Sequence, residues 1–199
     1  MQVEERDSKL HVSIIPGEMY VSAQPVQIRT LLGSCVSACL YDPVNRVIGM
    51  NHFMLSNRRY AKAMPVCLTE AGRYGIQAME LLINEMLKKG ARKGYMKAKA
   101  FGGGSIQLGN EKRDNFFCVG DVNSRFIREF LSNEGIPLVA EDLGGEMARI
   151  IHFVFEDYSV HVKRIAKARA TTIVLQEREC WMSAISKQRR GAPRAEIWK

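Results

Sequence analysis

The sequence predicts an α+β fold, and three patterns predict it. Short runs of alternating apolar and polar residues open and close the first 165 residues, which is the period of half-buried strands. Two longer segments repeat apolar residues every three or four positions, which is the period of one buried helix face. Glycine clusters stand where strands end. A chain of 199 residues can bury a substantial core. The expected division is a folded domain over 1–165 and a basic, partly disordered extension over 166–199.

Charge placement supports that division. The net charge is +8, yet residues 163–199 hold ten Lys/Arg against three Glu, while the rest of the chain holds 19 basic against 18 acidic side chains. The body is nearly neutral, so no nucleic-acid partner is expected for it. Five cysteines, an odd number without a regular framework, point to a reducing compartment. The start, Met1 to Asp7, is acidic and lacks an apolar signal core, and no run reaches a membrane span. The expectation is a cytoplasmic protein with no membrane insertion.

In chain order, residues 10–28 alternate around Pro16-Gly17 and read as short strands about a turn. The central stretch, Arg29 to Pro43, is an apolar strand that breaks at Gly33-Ser34, presents Cys35 and resumes as Val36 to Tyr41. Asp42-Pro43 with Asn45 makes a turn, because proline fixes φ and Asx side chains close turns locally. Val47 to Leu55 returns as a second apolar run carrying His52. Ser56 to Pro65 reads as a polar, basic loop containing Arg58, Arg59 and Lys62.

A helix is expected from Thr69, with Ile76, Met79, Leu82, Ile83, Met86 and Leu87 on one buried face and Gly90 in the left-handed cap. Met96 to Ala100 is a strand ending in Phe101-Gly-Gly-Gly-Ser105. That loop lacks the Gly-Lys-Ser/Thr of a phosphate-binding loop, so it is read as a close backbone approach. Residues 107–117 read as a surface excursion. Asp121 or Asn123 is expected to cap a second helix bearing Phe126, Ile127, Phe130 and Leu131. A strand over 136–140 leads to Gly144-Gly145, and 149–165 reads as a hairpin around Glu156-Asp157. A further segment is expected over 173–181. No cofactor is expected. His152 and His161 sit in strands, but the cysteines offer no paired ligand spacing, so no metal is expected either.

Adjacent strands can place Cys35 and His52 side by side, the minimum equipment for thiolate chemistry. Burial statistics keep the alternative open, since a Cys in an apolar run is commonly core, and Cys39 is read that way. Cys35 differs in following Gly33-Ser34, and amides near Ser34–Val36 could stabilise an oxyanion.

Leu-Leu-Gly-Ser-Cys-Val at 31–36, Tyr-Asp-Pro at 41–43 and Asn-His-Phe-Met-Leu at 51–55 resemble the CheD family of chemoreceptor glutamine deamidases. The likeness continues through Arg73-Tyr-Gly75, 101–105, Gly120-Asp-Val-Asn123 and 140–145, covering about residues 12 to 165. The resemblance implies a mixed β-sheet sandwich flanked by helices and a cysteine hydrolase mechanism. Cys35 would be the nucleophile and His52 its general base. The family's third catalytic residue is a threonine six positions before the cysteine, where this chain has Arg29; Thr30 is the candidate. A one-residue offset in a regular strand reverses the side chain, so a bulge would be required to bring Thr30 to the site. The implied reaction converts specific glutamine side chains of methyl-accepting chemotaxis receptors, in their cytoplasmic helical region, to glutamate through a Cys35 thioester. The alternative is a non-catalytic regulator that binds a CheC-type phosphatase; the two roles are compatible.

Overall fold

The computed structural model describes residues 1–6, 9–55, 70–105, 117–165 and 179. The expected basic loop at 56–65, the excursion over 107–117 apart from Phe117, and, apart from Glu179, the segment at 173–181 and the rest of the extension beyond Ile165 lie outside the described residues. Within them, ten strands form two five-stranded mixed sheets, and two long helices pack on one of these. The strands are β1 (Gln2–Arg6), β2 (Lys9–Ser13), β3 (Met19–Ser22), β4 (Val26–Leu32) and β5 (Val36–Asp42), then β6 (Val47–Asn51), β7 (Lys97–Gly102), β8 (Leu138–Leu143), β9 (Ala148–Val154) and β10 (Val160–Ile165). Helix α1 spans Glu70–Lys88 and α2 spans Phe117–Asn133.

The outer sheet runs β1-β2-β4-β9-β10, and the central sheet runs β3-β6-β5-β7-β8. Each contains one parallel pair, β2 with β4 and β7 with β8, the other neighbours being antiparallel. The central sheet is covered on both faces. Val12, Ile28, Leu32, Met50, Ile151 and Phe153 fill the layer between the sheets. Val36, Phe53, Leu82, Met86, Phe126 and Phe130 fill the layer between the central sheet and the helices. Strand β5 therefore reads as a continuous buried run, because both its faces are covered.

The break at Gly33-Ser34 is the point where the chain leaves the outer sheet at β4 and enters the central sheet at β5. Asp42 closes the turn after β5. Its Oδ1 accepts from the Val44 and Asn45 amides, and its Oδ2 accepts from the Asn45 side chain and from the Arg92 amide. Burial alone would raise this carboxyl's pKa, but those donors outweigh it and lower it.

Helix α1 buries Met79, Leu82, Ile83 and Met86 as expected, but Leu87 is exposed, since it follows Met86 by one residue and so turns about 100° off the buried face; the cap is as its sequence suggests. Gly90 takes φ +97°, and the Ala91 amide donates to the Met86 carbonyl at 3.0 Å. Helix α2 differs from expectation. It begins at Phe117, so Asp121 and Asn123 lie inside it and neither is an N-cap. The early start lets Gly120 sit against the glycine loop after β7, where a Cβ on Gly120 would meet the Gly103 carbonyl oxygen at 2.4 Å. Strand β1 is a further element that the sequence pattern does not predict. It pairs with β2 at the sheet edge, and its residues Gln2 to Glu5 are exposed and mostly polar, so no apolar alternation marks it.

The expected outcome for Gly120→Ala follows from that contact. The obstacle is backbone, so the helix must shift, and a cost of about 1–3 kcal/mol is predicted. Thermal melts should show a lowered midpoint; an unchanged midpoint would mean that α2 is not seated on the glycine loop.

Candidate active site

Beyond the last regular rungs of β5 and β6, Val36 and Phe53 form an isolated antiparallel bridge. The Val36 amide donates to the Phe53 carbonyl at 3.0 Å, and the Phe53 amide donates to the Val36 carbonyl at 2.9 Å. Val36 and Phe53 face the helices. Strand alternation then turns their neighbours Cys35 and His52 to the opposite face, toward the outer sheet, as diagonal neighbours across the pair. Cys35 lies in the inter-sheet core and is fully buried, and His52 is 1% exposed.

Thr30 reaches His52 from the other sheet. Its Oγ1 lies 2.8 Å from His52 Nδ1 and 2.7 Å from the Ile14 carbonyl oxygen. The carbonyl can only accept, so it takes the single hydroxyl proton. His52 Nδ1–H must then donate to the Thr30 oxygen, which leaves Nε2 as the lone-pair nitrogen. Nε2 is buried and makes no hydrogen bond among the described residues. Burial also pushes the His52 pKa down, to about 3, so the resting imidazole is neutral.

The side-chain direction of Thr30 corrects the bulge expectation. Val26, Ile28, Thr30 and Leu32 are all buried on one face of β4, while Arg29 is exposed on the other. The pairing of β4 with β9 runs without a shift from Gln27 to Leu32. A regular strand thus delivers Thr30 to the inter-sheet layer, and Arg29 instead donates to the Ser13 hydroxyl at 2.6 Å.

The His52 backbone is held by the turn after β2. The Gly17 amide donates to the His52 carbonyl at 2.8 Å, and the His52 amide donates to the Glu18 carbonyl at 2.9 Å. A cavity of about 230 Å³ opens beside this clamp, with Met19, Tyr74, Gln77 and Leu81 in its lining. On the cysteine side, the Gly104 amide donates to the Gly33 carbonyl at 2.8 Å and the Gly103 amide to the Cys35 carbonyl at 2.7 Å. Gly102 permits this approach: it takes φ +112°, and a Cβ there would stand 2.2 Å from the Cys35 carbonyl oxygen. The expected role of 101–105 as a close backbone approach is therefore seen directly. The Val36 amide is committed to the bridge with Phe53, which removes it from the expected oxyanion donors.

The other candidates fall elsewhere. Cys39 is core, and burial pushes its thiol up to about 12. His152 and His161 are cross-strand partners on the outer face of the outer sheet, where His152 approaches Gln27 at 3.4 Å. Among the described residues no three His, Cys, Asp or Glu side chains cluster as metal ligands. No described helix is long and apolar enough to cross a membrane. A residue that the sequence misassigns is Asn123, fully buried within α2, with its side chain directed at the strands carrying Cys35 and His52. An Asn in mid-helix is unfavourable unless its amide is used, and that is the available signal.

A two-sheet sandwich with helices on one side, holding a thiol, a neutral imidazole and a threonine hydroxyl between its sheets, defines an α+β protein equipped for thiol chemistry. The chain belongs to the CheD family: the family model described as CheD chemotactic sensory transduction matches residues 54–164. That match starts just beyond the three site residues, but similarity to individual relatives runs across them. The chain is 46% identical over 198 residues to "Probable chemoreceptor glutamine deamidase CheD 1" of Geobacter sulfurreducens, covering 100% of this chain and 98% of the relative. It is also 46% identical over 169 residues to "Probable chemoreceptor glutamine deamidase CheD 2" of Shewanella oneidensis, covering 84% and 83% of the two chains.

The neutral His52 carries a pH prediction for stability. Its folded pKa lies near 3, below the ~6.5 of an unfolded chain, so the unfolded state binds more protons between those values. The contribution is complete above about pH 6.5 and is lost as pH falls toward the folded value, with a slope approaching ~1.4 kcal/mol per pH unit. His152, also lowered chiefly by burial, acts in the same direction. Melting His52→Asn across this window should give a flatter pH dependence than the parent protein. An equal slope in both would show that His52 is not buried as the free base.

Proposed function

We propose that the protein is a chemoreceptor glutamine deamidase acting in the cytoplasm, with Cys35 as nucleophile, His52 as general base and Thr30 as the residue that orients His52. The observation that carries this reading is the Thr30–His52 hydrogen bond at 2.8 Å, in the same inter-sheet layer as Cys35. In the imidazole that burial keeps neutral, it places the lone pair at the nitrogen away from Thr30. The names of the relatives support the substrate class, a glutamine of a chemoreceptor; the proposed location is the cytoplasmic helical region of a methyl-accepting chemotaxis receptor.

In the first step His52 Nε2 takes the Cys35 thiol proton while sulfur attacks the glutamine side-chain carbonyl carbon. The carbonyl oxygen becomes an oxyanion, which backbone amides of the Ser34–Cys35 segment would stabilise. Protonated His52 passes its proton to the departing nitrogen, and ammonia leaves behind a thioester. A water then gives one proton to His52 and attacks the thioester carbon; glutamate and the free thiol result.

Incubation with purified receptor fragments should release ammonia and convert particular glutamines to glutamates, detected by peptide mass. Cys35→Ala should abolish both, whereas Cys39→Ala should retain activity. His52→Ala should lose about 10² to 10⁴-fold in rate. Thr30→Val strands the Nδ1–H and the Ile14 carbonyl and should cost about 10- to 100-fold in kcat, with Thr30→Ser restoring most of it. A folded protein that releases no ammonia from any receptor fragment would overturn the reading and favour a non-catalytic regulator that docks a CheC-type phosphatase.

A further inference from the structure

We infer that Asn123 is a positioning residue for the proposed reaction: its carboxamide takes the place of a backbone hydrogen bond in the β5–β6 ladder and so sets the geometry of Cys35 against His52. The inference rests on the active-site reading above. Its support is the register of the strands. The regular ladder pairs Asp42 with Val47 and continues to Cys39 with Met50; in the same register Val36 meets Phe53. Hydrogen-bonded rungs alternate with open ones in an antiparallel pair. Since Val36–Phe53 exchanges both bonds, the next such rung outward is Ser34–Leu55, where the Leu55 amide would donate to the Ser34 carbonyl.

That bond is replaced by two. The Leu55 amide donates to Asn123 Oδ1 at 2.9 Å, and Asn123 Nδ2 donates to the Ser34 carbonyl at 2.8 Å. The partners leave only this orientation, because the amide can only donate and the carbonyl can only accept. A side-chain carboxamide, chemically a peptide group, has been inserted between two strands. On the other side of the bridge the rung Ala38–Asn51 is diverted in the same manner. The Ala38 amide donates to Asn51 Oδ1 at 3.0 Å, and the Asn51 carbonyl accepts from the Ser37 hydroxyl at 2.6 Å. The ladder is therefore closed by backbone at Val36–Phe53 and through side chains at the rung on either side of it. Cys35 stands between the bridge and one of those rungs, and His52 between the bridge and the other.

The second consequence concerns the peptide plane. Carbonyl and amide point oppositely across a trans peptide. Fixing the Ser34 carbonyl on Asn123 turns the Cys35 amide away from α2. The same side chain thus sets both the nucleophile's place on the strand and the direction of a proposed oxyanion donor. Asn123 touches neither substrate nor reacting atoms; it acts through the Ser34–Cys35 peptide. Gly120, one turn earlier on α2, makes the reach possible by letting the helix rest on Gly103 and Gly104.

The test uses the full-length protein with Asn123→Asp and Asn123→Ala. When ionised, the introduced carboxylate offers two acceptors and confronts the Ser34 carbonyl, whereas the neutral carboxyl has one donor and one acceptor and reproduces the carboxamide. The kcat of Asn123→Asp on receptor fragments should fall about 10- to 100-fold at pH ~8, with KM unchanged. The ratio of variant to parent kcat should climb as pH is lowered, because a buried carboxyl regains its proton well above the usual carboxylate range. Asn123→Ala should show the same kcat loss with no such recovery.

Iodoacetamide labelling of Cys35, read by peptide mapping, repeats the comparison without any receptor substrate. If the parent protein proves inactive on receptors, slower and acid-recovering labelling of Asn123→Asp still supports the positioning role. The inference is overturned by folded variants with parental kcat and labelling, by a deficit carried in KM, or by a ratio that does not move with pH. It is also overturned if neither variant folds at any pH tested, since that result assigns Asn123 a purely structural part.

Discussion

The arrangement depends on one constraint: at Gly33–Cys35 the chain must leave one sheet and enter another while buried. Three successive carbonyls lose their ladder partners at such a crossing, and each buried one left unmade costs about 1–3 kcal/mol. All three are met from outside the strands, by Gly104, Asn123 and Gly103 in turn. The glycine loop can come that close only because it has no side chains, and α2 can support it only because Gly120 presents none. The crossing therefore needs a glycine loop on one side and a helix seated on that loop. A thiol placed at the crossing inherits backbone that is fixed at every carbonyl, without belonging to a regular strand.

The same two-sheet construction determines the electrostatics of His52. The residue belongs to the central sheet, and its orienting hydroxyl belongs to the outer one. Closing the sandwich therefore assembles the hydrogen bond and dries the imidazole in one event. Desolvation keeps His52 neutral, while Thr30, whose proton is spent on Ile14, selects the tautomer. A hydroxyl suits this task better than a carboxylate here, because it directs the ring without favouring the charged imidazolium in the resting state.

Much of this is legible in residue order, and the parts that are not share a physical cause. Gly33 before Cys35, the Asp42–Asn45 turn and the 3.6-residue periodicity of α1 are local signals, and each corresponds to what the fold contains. The alternation Val26, Ile28, Thr30, Leu32 also points Thr30 inward. Counting back from Cys35 obscures it, because a count across a strand break carries no information about facing. That β4 and β5 lie in different sheets is invisible in sequence, since a period of two is the same in either sheet. Strand β1 is polar because an edge strand can be. Asn123 reads as a cap for a related reason: its partners, Ser34 and Leu55, are distant in sequence, and Asn is common at helix starts.

The two buried asparagines, Asn51 and Asn123, bear on why the site is rigid. Each commits its carboxamide oxygen to a backbone amide that would otherwise have paired with backbone, Asn51 to Ala38 and Asn123 to Leu55. Exchanging one kind of hydrogen bond for another brings little net stability, because the ladder bonds forgone are worth about as much as those made. What changes is which part of the molecule fixes the strands. On the flanks of Val36–Phe53 the backbone answers to side chains, to Asn123 from α2 on one side and to Asn51 on the other, rather than directly to the facing strand. Thermodynamically the exchange is close to neutral, but it ties the segments that carry a thiol and an imidazole to the helix layer, since Asn51 Nδ2 in turn donates to the Ala78 carbonyl of α1 at 3.4 Å.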